Sequence, residues 1–165
     1  MLLAIAIVIN YLESLVPLPL PLPGVKIGLA NCIGLMVLCL FSKKDYVAFN
    51  VLKVVMVALL RTGFGSAFLI RAMGTLLSTL ITLLVYKFTK SSIYGLSVVG
   101  ALFHSLGQVL MVILIYNNIY MISYLPLLEI VSVIAGTLTA FISANVLERL
   151  PRGTITREQS KENTF

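Results

Sequence analysis

Long apolar runs, broken only by short polar stretches, are the feature that most constrains how this chain can fold. The runs cover residues 1–15, 26–41, 46–60, 67–86, 93–116 and 122–147. Hydrophobic residues make up 59% of the chain and charged residues 11%, so the polar surface is too small to enclose a water-soluble core. We therefore predict an all-α integral membrane bundle of six transmembrane helices over residues 1–150, and we exclude a soluble globular enzyme.

The first apolar run leads into a segment of alternating prolines. Residues 1–15 lack the cationic start and the small-residue cleavage site of a secretory signal, so we expect them to form a helix of the mature protein. The prolines from Pro17 to Pro23 forbid helix and favour an extended segment that ends at Gly24. Such backbone is tolerated at membrane depth only against protein or a wet cavity, which predicts a Pro-rich extracellular lid loop between helices 1 and 2.

Lysine and arginine residues in the connections predict the orientation. Eight of them fall on one side of the predicted bundle: Lys43, Lys44, Lys87, Lys90, Arg149, Arg152, Arg157 and Lys161. Because cationic connections stay on the cytoplasmic side, we expect a multi-pass protein of the cell (plasma) membrane with both termini in the cytoplasm. The same bias accounts for the net charge of +6 without a nucleic-acid partner. Residues 151–165 are too polar to be buried, and we predict a disordered cytoplasmic tail.

Polar side chains at membrane depth mark the candidate site, because such residues are costly there and usually functional. The candidates for solute binding are Glu13, Lys26, Asn31, Asn50, Lys53, His104, Gln108 and Glu129. His104 and Gln108 are four positions apart, so they lie on one face of a helix. Together with Arg61 and Arg71, these residues carry more positive than negative charge, which suits an anionic solute.

A structural interpretation of the same charges stays open. Glu13 would pair with Lys26 or Lys53 to hold helices together, and Arg61 and Arg71 would extend to the outer interface.

Small residues indicate where helices approach one another closely. The last apolar run carries a stripe with one small residue in every four: Ser132, Gly136, Ala140 and Ala144. Another helix can pack closely on such a stripe, and that helix belongs either to this chain or to a partner subunit. Gly100 and Gly107, beside His104, likewise leave room for a ligand or for a neighbouring helix.

The sequence lacks the motifs of the common enzyme classes. Asp45 is the only aspartate, whereas prenyl transfer needs aspartate-rich clusters that hold magnesium on a diphosphate. No Walker loop, Gly-x-Ser-x-Gly elbow or His-Glu-x-x-His helix occurs. Cys32 and Cys39 lie in one apolar run and are interpreted as buried small residues rather than as metal ligands or a disulfide. We expect no enzymatic activity, cofactor or metal.

Two motifs indicate a family. The block from Glu13 to Asn31, which joins the prolines to Gly-Val-Lys-Ile-Gly-Leu-Ala-Asn, and the run His104-Ser-Leu-Gly-Gln108 resemble the Gx transporter family, whose members also carry the name heptaprenyl diphosphate synthase component I. That family is similar to the substrate-binding S components of energy-coupling-factor transporters. The resemblance implies a six-helix membrane subunit that binds a small solute on its outer side and depends on a partner module for energy.

The motif positions that match the family are Glu13, Lys26, Asn31, His104 and Gln108. Two positions depart from the family pattern, since Lys53 stands where arginine is expected and Ser105 where asparagine is expected. Arg71 has no counterpart in the motifs. The Ala-x-x-x-Ala docking face that S components commonly carry on helix 1 is also missing, because Val8 follows Ala4 at that spacing.

Three functions are compatible with these features. The first is a solute-binding subunit of a transporter, with a small-molecule solute, membrane lipid and energising transmembrane and ATPase subunits as partners. The second is a noncatalytic membrane partner of a prenyl-diphosphate or quinone-pathway enzyme. The third is a structural subunit of a membrane redox complex. The lid and the polar pocket favour the first.

Overall fold

The computed structural model describes residues 2–15, 29–89 and 91–149, which are almost entirely helical. The six α-helices are α1 Leu2–Leu15, α2 Leu29–Leu40, α3 Lys43–Val57, α4 Ser66–Phe88, α5 Ile93–Tyr116 and α6 Leu125–Arg149. A π-helical turn, Ala58–Thr62, continues α3, and a 3-10 helix, Ile119–Tyr124, precedes α6. The predicted all-α class and number of helices are confirmed. The predicted lid and the tail lie outside the described residues.

The helices differ in length. Three of them are long and apolar enough to cross a membrane: Ser66–Phe88, Ile93–Tyr116 and the unit Ile119–Arg149. By contrast, α1 has 14 residues and α2 has 12, which corresponds to roughly 18 to 21 Å against a hydrocarbon core of about 30 Å. The described residues therefore contain three full-length spans and three shorter helices packed with them.

The predicted connection at Ser42 to Asp45 is wrong. Ser42 is instead the N-cap of α3: its hydroxyl accepts from the backbone N–H of Asp45, and the Asp45 carboxylate accepts from the backbone N–H of Ser42. This reciprocal capping box begins the helix at Lys43, ahead of the apolar residues. The charged residues are thus the first turn of α3 rather than a loop.

Removing this cap gives a first test of the fold. We expect Ser42→Ala to lower the free energy of unfolding by about 1 kcal/mol, because an N-cap hydroxyl satisfies a backbone donor that otherwise lacks a partner in the helix. Thermal unfolding of the protein in nanodiscs measures the change. Ser66→Ala, in the first turn of α4 where Gly65 provides no side-chain cap, is the matched control. Equal unfolding midpoints for the two variants would contradict the role of the cap.

The last long connection combines a left-handed turn with a short helix. Asn117 ends α5 with φ of 46°, a conformation that asparagine tolerates better than most residues. The 3-10 helix follows, and α6 begins at Leu125, so that Pro126 lies in its first turn, where no N–H is needed. The last apolar run, 122–147, is thus divided near Pro126 into the end of a short helix and a long helix.

Five helices form a closed ring. In order around it, α2 contacts α3, α3 contacts α4, α4 contacts α5, α5 contacts α6, and α6 contacts α2. The remaining helix, α1, packs against α2 and α3, where Ala6 is fully buried. Short connections make successive neighbours antiparallel. The ring therefore surrounds an interior to which α2 to α6 contribute side chains directly.

Glycines set the distance between α4 and α5. A Cβ atom built on Gly107 would lie 2.9 Å from the Cα atom of Gly74 and 2.9 Å from the carbonyl oxygen of Met73. Four residues later on α4, the Ser78 hydroxyl donates to the carbonyl oxygen of Gly100 at 2.7 Å. The two predicted glycines thus make room for a neighbouring helix of the same chain.

The small-residue stripe on α6 serves the same purpose against α5. Ser132, Gly136 and Ala140 are buried, and a Cβ on Gly136 would lie 3.0 Å from the Cα atom of Val98. Of the two alternatives for this stripe, the structure therefore favours packing within the chain.

Candidate functional site

A cavity of about 640 Å³ occupies the interior of the ring. All six helices line it, since Asn10 of α1 joins residues from α2 to α6. Its volume falls within the range of sites that hold small molecules. The polar lining residues are Asn10, Asn31, Tyr46, Asn50, Lys53, Arg71, Thr75, Ser78, Thr79, Thr82, Ser97, His104, Ser105, Gln108, Tyr116, Ser132 and Thr139.

The two ends of the cavity differ in exposure. We call the end where α5 finishes and α4 begins the open end, because the lining residues Ala67 and Tyr116 are exposed there. At the opposite end, where α3 and α5 begin, the lining side chains of Tyr46, Thr82 and Ser97 are buried, and we call it the closed end. Within the described part of the chain, the lining residues are thus more exposed at the open end than at the closed end.

Lys53 lies in the middle of the cavity wall. It is contributed by α3, is 7% exposed, and donates from Nζ to the side-chain oxygen of Asn31 on α2 at 2.9 Å. The Nζ atom also lies 5.7 Å from the centre of the Phe49 ring. The hydrogen bond to Asn31 and the neighbouring Phe49 ring hold the Lys53 side chain at a fixed position in the wall. The predicted residues Lys53 and Asn31 are therefore brought together.

His104 and Gln108 lie across the cavity from α3, where α5 crosses α4. A Cβ on Gly74 would lie 2.8 Å from the Cγ atom of Gln108 and 3.2 Å from the Cε1 atom of His104, so both side chains pass over this glycine. The predicted pair lines the cavity together with Lys53 and Arg71.

Arg71, whose position the sequence left open, lines the cavity. It belongs to the second turn of α4, between the open end and Gly74. Among the described lining residues, Lys53 and Arg71 are the lysine and arginine side chains. The described wall therefore contains two basic side chains at mid-depth.

The other predicted site residues have different outcomes. Asn50 lines the cavity and donates to the Thr79 hydroxyl at 3.1 Å. Glu129 is partly exposed on α6 and is not among the lining residues, so the cavity gives no support to its predicted role. Lys26 and the side chain of Glu13 lie outside the described part of the chain.

Sequence reasoning missed most of the hydroxyl groups in the cavity. Thr75, Ser78, Thr79 and Thr82 stack on one face of α4, and their spacing of three or four residues was the available signal. Serine and threonine hydroxyls can form hydrogen bonds to the backbone of their own helix, so their free-energy cost in a membrane helix is low. Their presence there therefore indicates function less clearly than an ionisable residue does.

Hydroxyl groups also form hydrogen bonds between α5 and α6 in the cavity wall. The Ser97 hydroxyl lies 2.7 Å from the carbonyl oxygen of Gly136 and 2.8 Å from the hydroxyl of Thr139. Nearer the open end, the hydroxyls of Ser105 and Ser132 bond to each other. Cys32 of α2 donates from its thiol to the carbonyl oxygen of Thr139, which is consistent with its predicted role as a buried small residue.

One family model matches residues 2–146, and it is described as heptaprenyl diphosphate synthase component I. The chain belongs to this family. Membership confirms the family that the proline block and the His104 motif predicted. No curated protein and no solved structure matches the chain. The likeness of heptaprenyl diphosphate synthase component I to S components of energy-coupling-factor transporters stays a prediction.

Proposed function

We propose that this protein is a membrane-embedded solute-binding subunit of a transporter that takes up a small anionic or amphiphilic solute from the outer side. Six helices lie in the membrane in this proposal. The solute occupies the cavity inside the ring. The cavity's position inside a ring of five helices, with exposed lining residues at one end of the described part, is the observation that carries the proposal.

The chemistry of the wall supports an anionic group on the solute. Lys53 and Arg71 provide positive charge, while Asn31, His104 and Gln108 provide neutral hydrogen-bonding groups at the same level. Hydrogen bonds between charged groups in a site shielded from water are roughly twice as strong as neutral ones. An anion at this level would therefore be held by several donors from α2, α3, α4 and α5.

Cationic residues support the direction of access. Lys43 and Lys44 begin α3, Lys87 lies in the last turn of α4, and Arg149 ends α6, so all four lie at the closed end. Because lysine and arginine accumulate on the cytoplasmic side, we assign the closed end to the cytoplasm and the open end to the outside.

Cysteine labelling tests this orientation. In a variant with Cys32→Ser and Cys39→Ala, we expect a membrane-impermeant maleimide to label Tyr120→Cys in intact cells, since Tyr120 is 80% exposed at the open end. Lys44→Cys, at the exposed start of α3, should react only after the cells are broken. Labelling of Lys44→Cys in intact cells, with Tyr120→Cys unreactive, would reverse the proposed orientation.

A second function follows from the family's description. The family is described as component I of a synthase. This description favours a noncatalytic membrane subunit that assembles with a prenyl-diphosphate-forming enzyme. In that case the cavity would hold part of an isoprenoid chain or lipid, and a soluble synthase subunit would accompany the protein.

Purification from native membranes separates the two functions. Mass spectrometry of the purified material identifies both co-purifying subunits and small molecules. A small anionic molecule, together with membrane-embedded and ATPase partners, supports the transporter subunit. A stoichiometric prenyl-diphosphate synthase subunit without a small solute supports the second function and contradicts the first.

A further inference from the structure

The short helix at the open end leaves an apolar surface exposed. The 3-10 helix Ile119–Tyr124 contacts α5 and α6, yet none of its residues is buried. Its most exposed apolar and aromatic side chains, with exposed fractions between 48% and 80%, are Ile119, Tyr120, Ile122 and Tyr124. Tyr116, the last residue of α5, is 61% exposed. We call residues 116–124 the mouth segment.

The lengths of the two neighbouring helices set the level of the mouth segment in a bilayer. There are 24 residues in α5 and 25 in α6. At 1.5 Å per residue each helix is about 36 to 38 Å long, which exceeds a hydrocarbon core of about 30 Å by several ångströms. When these helices are centred on the core, the residues that join their ends lie just outside it, in the headgroup layer.

The composition of the mouth segment suits this layer. Its three tyrosines each combine an apolar ring with a polar hydroxyl, and tyrosine is enriched at the membrane–water interface for that reason. Residues 116–128 contain no Asp, Glu, Lys or Arg, so contact with lipid does not bring a charge into an apolar medium. The Asn118 side chain accepts from the backbone N–H of Tyr120 at 3.0 Å, so this donor does not depend on water.

The mouth segment also borders the cavity. Tyr116 and Met121 are lining residues. Met121 belongs to the same short helix as the exposed Tyr120 and Ile122. One short helix therefore contributes to the entrance of the cavity and presents apolar side chains to its surroundings.

From this exposure, level and composition we infer that the mouth segment is a lipid-binding surface, which lies in the headgroup layer of the bilayer and holds the entrance of the cavity at that level. The bilayer is the partner, because the segment is continuous with α5 and α6, which are long and apolar enough to cross a membrane. The inference rests on the proposed function and adds the depth at which the solute enters.

Tryptophan fluorescence tests this level, because the chain contains no tryptophan and each variant then carries one reporter. Tyr120→Trp reports on the mouth segment and Tyr116→Trp on the entrance. Leu138→Trp is the matched reference, since Leu138 is 44% exposed near the middle of α6. Each variant is placed in nanodiscs whose phospholipids carry bromine, a quencher, either in the upper half of the acyl chain or near its end.

We expect the Tyr120→Trp and Tyr116→Trp variants to lose more fluorescence to the upper bromines than to the deep ones. The Leu138→Trp variant should show the reverse. The thermal unfolding midpoint of each variant confirms that it is folded, and the substituted side chains are exposed, so the midpoints should change little.

The other outcomes separate the inference from the proposed function. Quenching of the Tyr120→Trp variant by aqueous iodide but by neither lipid would place the mouth segment in water. Protection from iodide and from both lipids would mean that protein covers it. Either result, or stronger quenching by the deep bromines, overturns the inference, while deep quenching of Leu138→Trp leaves the proposed function standing. If neither lipid quenches Leu138→Trp, α6 does not cross the membrane, and the proposed function fails as well.

Discussion

Replacing Lys53 by Met is expected to weaken the binding of octanoate, used as a small anionic and amphiphilic probe, roughly 10- to 100-fold while leaving the protein folded. Dissociation constants are obtained from the concentration dependence of the thermal unfolding midpoint in nanodiscs. A hydrogen bond to a charged group contributes about 1.5–3 kcal/mol, and every 1.4 kcal/mol corresponds to about a tenfold change in affinity. Methionine has a similar length and does not bring an ionisable group to membrane depth, where such groups are costly, so the protein should stay folded. Gln108→Leu, which removes a neutral group at the same level, should weaken binding less.

The matched control is Lys87→Met. This lysine lies in the last turn of α4 at the closed end, outside the cavity, where its Nζ atom is 5.3 Å from the Phe88 ring. Octanoate binding should not change in this variant. If Lys53→Met and Gln108→Leu both bind octanoate like the wild type, the two residues hold helices together and do not contact solute.

Replacing Gly107 by Ala is expected to destabilise the bundle by about 2–3 kcal/mol. The added Cβ would lie 2.9 Å from backbone atoms of both Met73 and Gly74, and backbone in a packed helix cannot move aside cheaply. The change therefore separates α4 from α5, the two helices on which Arg71, His104 and Gln108 lie. The thermal unfolding midpoint in nanodiscs measures the loss.

Gly65→Ala provides the comparison for this prediction. Gly65 precedes α4, has no neighbouring atom within 4 Å of a built Cβ, and does not require a positive φ. Its replacement by alanine should leave the unfolding midpoint almost unchanged. Equal midpoints for Gly107→Ala and Gly65→Ala would mean that α4 and α5 are not packed as described.

The number of helices and the bounds of α5 could be predicted because hydrophobicity in a membrane protein directly marks the segments that are removed from water. Residues 93–116 were predicted and are found as Ile93–Tyr116. The start of α3 could not be predicted in this way, because Lys43 and Lys44 break the apolar pattern. The local capping signal of Ser42 and Asp45 was present and decides where the helix begins.

The candidate site could be predicted only in part. Ionisable and amide residues are rare at membrane depth, so Asn31, Lys53, His104 and Gln108 could be recognised one by one. Which of them face the cavity depends on how helices pack around it. Arg71 lines the cavity and Glu129 is not among the described lining residues, although both are charged residues near the starts of their helices.

The buried polar residues at the closed end of the cavity could not be predicted from the sequence. Tyr46 directly follows the charged start of α3, yet it is buried. Thr79 and Thr82, which line the same cavity, belong to α4 and lie far along the chain. Only the closed ring of helices brings these hydroxyls together.

Native mass spectrometry of the protein released from nanodiscs tests the central proposal most directly. The wild type, purified from native membranes, is predicted to carry a small anionic molecule in a one-to-one ratio, and the double variant Lys53→Met, Arg71→Met is predicted to lose it while remaining folded. A wild type that carries only phospholipid, or an anion retained equally by the double variant, would contradict an anion-binding site inside the helical ring.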